Sequence, residues 1–142
     1  SLKKSRNPLS TLFYKLSIAD ENEINIIANE VNLTESLSIL AGQLSHGQKQ
    51  WLEIGMLLAQ KPDLLLIDEP AAGMTAPERK KTVELLKRLS QNQSVIVVEH
   101  DMEFVKSLEC RVTVLHDGGV IAEGSLDYVS QNDKVIDVYL GR

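Results

Sequence analysis

An acidic pair follows a short apolar run near the middle of the chain. Residues 64–67 are apolar, and Asp68 and Glu69 come directly after them. Such a run is typical of a strand buried on both faces of a parallel sheet, whose C-terminal end is where open α/β sheets bind ligands. Asp68 is therefore a candidate Mg²⁺ ligand, and Glu69 a candidate to orient an attacking water or accept its proton. The pair alone also fits a strand end that caps a turn.

A serine and a glycine mark a second segment, residues 44–48. Ser45 followed three residues later by Gln48 is a capping box, which predicts the start of a helix. A helix N-terminus with unpaired N–H groups is also an anion site, and Gly47 allows close approach to the backbone. Both interpretations fit the segment alone.

A histidine is the third candidate. His100 follows the apolar run 94–98 and Glu99, so it lies at the end of a second predicted strand. A histidine at this position is often structural, but its imidazole can also donate a hydrogen bond to a terminal phosphate.

Alternating helices and strands must position these three segments. From residue 43 onward we predict the strands 64–67, 94–98, 111–115 and 120–122, the helices 47–60, 75–89 and 101–108, and two short helices within 126–140. The helix after residue 75 begins with a capping box formed by Thr75 and Glu78. Strands separated by helices predict an α/β fold with a parallel sheet.

The first 42 residues have a helical pattern. A helix is predicted to begin at Asn7-Pro8, a second to span residues 21–31 after a cap at Asp20, and a short helical turn to cover residues 37–40.

Composition limits the class of protein. The chain has 142 residues, of which 43% are hydrophobic and 25% charged, as in an ordinary globular domain. A net charge of -5 disfavours nucleic acid as a partner. No apolar run approaches the roughly 20 residues of a membrane-spanning helix. The single cysteine, Cys110, is expected to be a small buried residue.

The order and spacing of the three segments resemble those of the ABC ATPase family over residues 43–142. Residues 44–48 resemble its signature motif, 64–68 its Walker B strand and 71–74 its D-loop; Glu69 matches its catalytic glutamate and His100 its switch histidine. One departure is His46, where the family usually has glycine. Because the next residue is still glycine, we expect the phosphate contact to survive.

The resemblance implies an incomplete P-loop NTPase domain. Residues 1–42 would be the latter part of the helical subdomain, and residues 43–142 the C-terminal part of the ATPase core. It also implies a dimer with a second ABC ATPase subunit, in which ATP lies between the phosphate loop of one subunit and the signature motif of the other. The implied ATP-binding residues are Ser45, His46, Gly47, Gln48 and Gly73. Asp68 would position Mg²⁺, and Glu69 and His100 would be catalytic.

Within the family, the segments 44–54, 71–75, 98–102 and 138–142 are similar to ATPases of branched-chain amino acid and urea importers. The similarity is greatest to the D-type ATP-binding subunit of urea importers. It implies transmembrane permease subunits as partners and a peripheral location on the cytoplasmic face of the plasma membrane.

The sequence contains no Gly-Lys-Ser/Thr phosphate loop, since none of its eight glycines precedes a lysine. We therefore expect a C-terminal half that cannot bind or hydrolyse ATP alone, because ATP and Mg²⁺ need the other half. An incomplete sheet also predicts self-association.

Other interpretations remain open. The chain could belong to another ABC ATPase, such as one for lipid export, or be a non-catalytic module that regulates a full ATPase. A purely structural α/β domain would leave the order of Glu69 and His100 behind their strands unexplained.

Overall fold

The computed structural model describes residues 16–140, which form two compact units divided after Val98. The helix predicted at Asn7-Pro8 lies outside the described residues. In the first unit, the elements are α1 (Ile18–Glu30), two 3-10 turns (Thr34–Ser36 and Ala41–Gln43), α2 (His46–Leu58), β1 (Leu64–Asp68), α3 (Ala76–Leu89) and β2 (Ser94–Val98).

Strands β1 and β2 pair in parallel, in a register that sets Leu64 beside Ser94 and Asp68 beside Val98. Helix α3 connects them and packs against β2. This pair confirms the predicted α/β arrangement. The parallel pairing also fixes where Asp68 and Glu69 lie, at the C-terminal end of β1.

One face of this sheet is buried and the other is exposed, so the prediction that β1 is buried on both faces was wrong. Leu65 and Ile67 are buried, whereas Leu66 is 65% exposed. On β2, Ile96 and Val98 are likewise exposed. An apolar run shows that the side chains of a strand are hydrophobic. Which faces of the strand are buried depends on elements distant in sequence.

Close packing between α1 and α2 determines which face of α2 is buried. Trp51, Ile54 and Gly55 are buried, and a Cβ added to Gly55 would lie 3.3 Å from side-chain carbons of Ile27 and Val31. Met56 on the same helix is 62% exposed.

The first turn of α1 lies earlier than predicted. Ser17 is the N-cap, and Asp20 is the third helical residue, whose carboxylate accepts hydrogen bonds from the Ser17 N–H (2.9 Å) and Oγ (2.7 Å). Asp20 is thus the acidic member of a capping box rather than the cap itself.

The second unit contains α4 (Met102–Leu108), β3 (Val112–His116), β4 (Gly119–Gly124), α5 (Leu126–Ser130), α6 (Asp133–Val135) and a π-helical turn (Ile136–Leu140). Strands β3 and β4 form an antiparallel hairpin, because Asp117 and Gly118 make a two-residue turn with φ of 47° and 75°, too short for a parallel crossover. The core of the second unit contains Ala122, Val129 and Val135. Cys110 is exposed, contrary to expectation.

Within residues 16–140, no helix combines the length and the apolar character needed to cross a lipid bilayer.

Candidate functional site

The N-terminus of α2 carries the predicted capping box. The Ser45 Oγ accepts a hydrogen bond from the Gln48 N–H (3.2 Å), and the Gln48 Oε1 accepts one from the Ser45 N–H (2.9 Å). The Gln48 amide group also donates to the Ser36 Oγ (3.0 Å), which ties the box to the preceding 3-10 turn. The backbone N–H groups of His46 and Gly47 belong to the first helical turn, where helix geometry provides no carbonyl partner.

A glutamate from another helix completes this N-terminus. The Ser45 hydroxyl donates to Glu78 Oε1 (2.8 Å), across 33 residues of sequence. Glu78 Oε2 accepts from the N–H (2.9 Å) and the hydroxyl (2.8 Å) of Thr75, the N-cap of α3. One carboxylate therefore joins the caps of two helices.

The same contacts make Glu78 more acidic. Hydrogen bonds from the Thr75 N–H, then from the hydroxyls of Ser45 and Thr75, lower the pKa of Glu78, and His46 adds a smaller effect in the same direction. Sequence reasoning assigned Glu78 only to the α3 capping box. Its contact with Ser45 joins positions distant in sequence, so no pattern of local spacing predicts it.

His46 and Gly73, two predicted ATP-binding residues, lie in contact. Gly73 has a φ of 66°, and a Cβ added there would lie 3.1 Å from His46 Cδ2. The imidazole thus packs against the backbone of the 71–74 loop. Ala71 and Met74 anchor that loop, since both are buried.

The acidic pair lies at the end of β1. The Glu69 N–H donates to the Val98 carbonyl (2.9 Å), which extends the pairing of β1 with β2 by one residue. Glu69 then adopts a φ of 45°, a left-handed conformation that is uncommon for residues other than glycine. The next residue, Pro70, is fully buried. Asp68 and Glu69 are both exposed.

A magnesium ion would have few protein ligands here. Among residues 16–140, no three His, Cys, Asp or Glu side chains come together as a metal site. Mg²⁺ commonly uses one or two carboxylates and completes its shell with waters and substrate phosphates. Asp68 fits that limited role, as the exposed carboxylate at the strand end.

His100 belongs to the second unit. Its N–H donates to Glu99 Oε2 (3.0 Å), and its Nδ1 lies 4.0 Å from the same oxygen. The Asp101 N–H also donates to this oxygen (3.3 Å), while the Asp101 side chain caps α4. The Glu99 side chain is only 2% exposed and that of His100 is 77% exposed. Glu99, which the sequence did not single out, fixes the backbone that presents the imidazole.

Comparisons with known proteins indicate the family of the chain. The sequence model described as ABC transporter matches residues 2–72, which is half of the chain. The high-affinity branched-chain amino acid transport ATP-binding protein BraF of Pseudomonas aeruginosa is 38% identical over 114 residues, covering 79% of this chain and 45% of BraF. LivG of Escherichia coli K12, with the same description, is 34% identical over 113 residues, covering 78% of this chain and 44% of LivG. The chain thus spans just under half of either relative.

A solved structure extends the likeness to the fold. The ADP conformation of MJ1267, an ATP-binding cassette of an ABC transporter, superposes with a TM-score of 0.79 at 26% identity. The superposition covers 99% of this chain and 59% of that one. The predicted fold class, a partial ABC ATPase domain of the α/β type, is therefore confirmed. Since the family model matches half of its residues and the fold is that of a known cassette, this chain belongs to the ABC transporter family.

Proposed function

We propose that this chain is the part of an ABC importer's ATP-hydrolysing subunit that acts on the terminal phosphate of ATP. The observation that carries the proposal is the position of Asp68 and Glu69. Both are exposed carboxylates at the C-terminal end of a parallel strand, which is the ligand-binding edge of an α/β sheet.

The N-terminus of α2 is proposed to contact ATP held by a second ATPase subunit. The Ser45 hydroxyl and the first-turn N–H groups of His46 and Gly47 are donors, and Gln48 holds Ser45 in place through the capping box. A helix N-terminus favours a negative charge, by about 0.3–1 kcal/mol at an exposed site. Gly73 takes part through its contact with His46.

Glu69 is proposed as the group that orients the attacking water or accepts its proton. Asp68 would hold Mg²⁺, which would neutralise charge on the phosphates when it is bound. His100 donates a hydrogen bond to the terminal phosphate, with its backbone fixed by Glu99. General-base assistance of this kind is typically worth about 10²–10⁴-fold in rate.

The transported solute is proposed to be a branched-chain amino acid or urea. BraF and LivG support the first through their descriptions as branched-chain amino acid transport proteins. The residues of segments 44–54 and 71–75 support the second by their similarity to urea importers. In either case the partners are transmembrane permease subunits, which hold the ATPase on the cytoplasmic face of the plasma membrane.

The chain alone is proposed to be inactive. Its sequence has no Gly-Lys-Ser/Thr loop, whose backbone N–H groups and lysine supply several charge-assisted contacts to the phosphates. Each such contact is worth about 1.5–3 kcal/mol, so the loss of several lowers affinity by about a thousandfold or more.

Steady-state hydrolysis by a hybrid tests the catalytic assignment. The hybrid joins this chain to the part of BraF outside the 114 matched residues, which is proposed to supply the phosphate loop. We expect ATP turnover, and Glu69→Gln should lower kcat by about 10²–10⁴-fold with little change in KM. Glu84→Gln, an equal change of charge at an exposed position on α3, serves as the matched control. A Glu69→Gln hybrid as active as the Glu84→Gln hybrid would refute the assignment.

A further inference from the structure

We propose that Glu78 is a positioning residue that keeps the Ser45 hydroxyl turned away from phosphate and must release it before α2 can bind ATP. This inference rests on the proposed function of the α2 N-terminus. It means that the Glu78 carboxylate competes with the phosphate for the α2 N-terminus.

The first support is that the Ser45 hydroxyl can donate only one hydrogen bond. A serine hydroxyl has one proton to donate. In this structure the proton goes to Glu78 Oε1 at 2.8 Å, while the same Oγ accepts from the Gln48 N–H at 3.2 Å. Ser45 therefore cannot donate to a phosphate until its bond to Glu78 breaks. The bond from Gln48 can persist, because it uses a lone pair of Oγ.

The second support is the position of the carboxylate. A Cβ added to Gly47 would lie 2.7 Å from both Cδ and Oε1 of Glu78, so the carboxylate lies directly against the second residue of α2. A phosphate approaching the first-turn N–H groups meets this negative charge. The hydrogen bonds from Thr75 and Ser45 lower the pKa of Glu78, so the group is ionised at neutral pH.

The third support is the way Glu78 is anchored. Its other oxygen, Oε2, holds the N–H and hydroxyl of Thr75. Release of Ser45 therefore removes one bond from Oε1 and leaves the capping box of α3 in place. The change is local, and no helix has to unfold for it to occur.

Binding of tripolyphosphate to the 142-residue chain tests the inference directly. Binding is followed by NMR at the backbone amides of Gly47 and Gln48, which detects binding too weak to give a saturable heat, as expected of a chain without a phosphate loop. Glu78→Gln removes the charge and keeps an acceptor suited to the capping box. We expect it to bind tripolyphosphate about fivefold more tightly than the wild type, the effect of one nearby charge in a largely hydrated setting. Glu84→Gln, which changes net charge equally, should bind like the wild type.

A second measurement tests the hydrogen bond itself. Ser45→Ala removes the Ser45 donor, so the pKa of Glu78, measured by carboxyl carbon NMR, should rise toward its ordinary value. The charged and polar groups facing Glu78 are Thr75 on its own helix and Ser45 and His46 at the start of α2, and only Ser45 changes in this variant. A Glu78 pKa that does not move would overturn the inference.

The possible outcomes distinguish a failure of this inference from a failure of the proposed phosphate site on which it rests. Equal affinity in the wild type and Glu78→Gln, with shifts at Gly47 and Gln48, would overturn the role of Glu78 and leave the phosphate site intact. No shifts at these amides in either protein would overturn the phosphate site, and the inference with it.

Discussion

The Trp51 indole N–H donates a hydrogen bond of 2.9 Å to the Thr82 hydroxyl, and both residues are buried. Thr82 in turn donates to the Glu78 carbonyl (2.9 Å) and lies 3.2 Å from the Met74 sulfur. This bond joins α2 to α3 beneath the two helix N-termini. It therefore supports the geometry in which Ser45 meets Glu78.

Replacing Thr82 by valine should destabilise the first unit by about 1–3 kcal/mol. Valine matches threonine in shape but leaves the buried Trp51 N–H without an acceptor. The free energy of unfolding, measured by urea denaturation, checks this. Thr34→Val, at an exposed position of the same unit, should change it by less than about 0.5 kcal/mol. Equal effects of the two variants would contradict the role assigned to the bond.

Replacing Gly73 by alanine should cost about 1–2 kcal/mol of stability. Its φ of 66° is unfavourable for alanine, and the added Cβ would lie 3.1 Å from the His46 ring. Gly42→Ala is the matched control, because nothing lies within 4 Å of its added Cβ. Thermal unfolding should separate the two, and a Gly73→Ala chain as stable as Gly42→Ala would be the contrary result.

Features fixed by neighbouring residues could be predicted from the sequence. The capping boxes at Ser45 and Thr75 each involve residues three apart, and both are present in the structure. The strands β1 and β2 and the acidic pair at the end of β1 also follow from local patterns. These elements need only short-range rules of polarity and hydrogen bonding.

Features that depend on distant residues could not be predicted in this way. The bond between Ser45 and Glu78 spans 33 residues of sequence, and no spacing rule connects them. The burial of Trp51 and the exposure of Met56 depend on how closely α1 approaches α2. The roles of Asp68, Glu69 and His100 toward nucleotide stay predictions.

The contribution of Glu78 to stability should depend on pH. Because folding lowers the pKa of Glu78, the folded state binds its proton less readily than the unfolded state does. The stabilisation is therefore present above the unfolded pKa and is lost as the pH falls through the folded pKa. Urea denaturation should show that the wild type has a higher free energy of unfolding than Glu78→Gln at neutral pH, and that this difference shrinks toward about pH 3. A difference that stays constant over this range would contradict the prediction.

The exposed face of the β1–β2 sheet should cause the chain to self-associate. Its exposed apolar residues are Leu64, Leu66, Ile96 and Val98. A contiguous apolar surface of this kind favours association. Sedimentation equilibrium should show dimers or larger species that Leu66→Glu weakens and that Ile26→Glu, an equally polar change on α1, does not. Monomers alone at high concentration would refute this prediction.

Calorimetric titration of Mg-ATP into the 142-residue chain, with phosphate release followed in parallel, is the most direct test of the central claim. The claim is that the groups proposed to contact phosphate and to orient the attacking water need a phosphate loop supplied from outside the chain. We predict no saturable heat and no turnover, for the wild type and for Glu69→Gln alike. Saturable binding with turnover that Glu69→Gln abolishes would contradict this, and would mean that the chain supplies a phosphate site of its own.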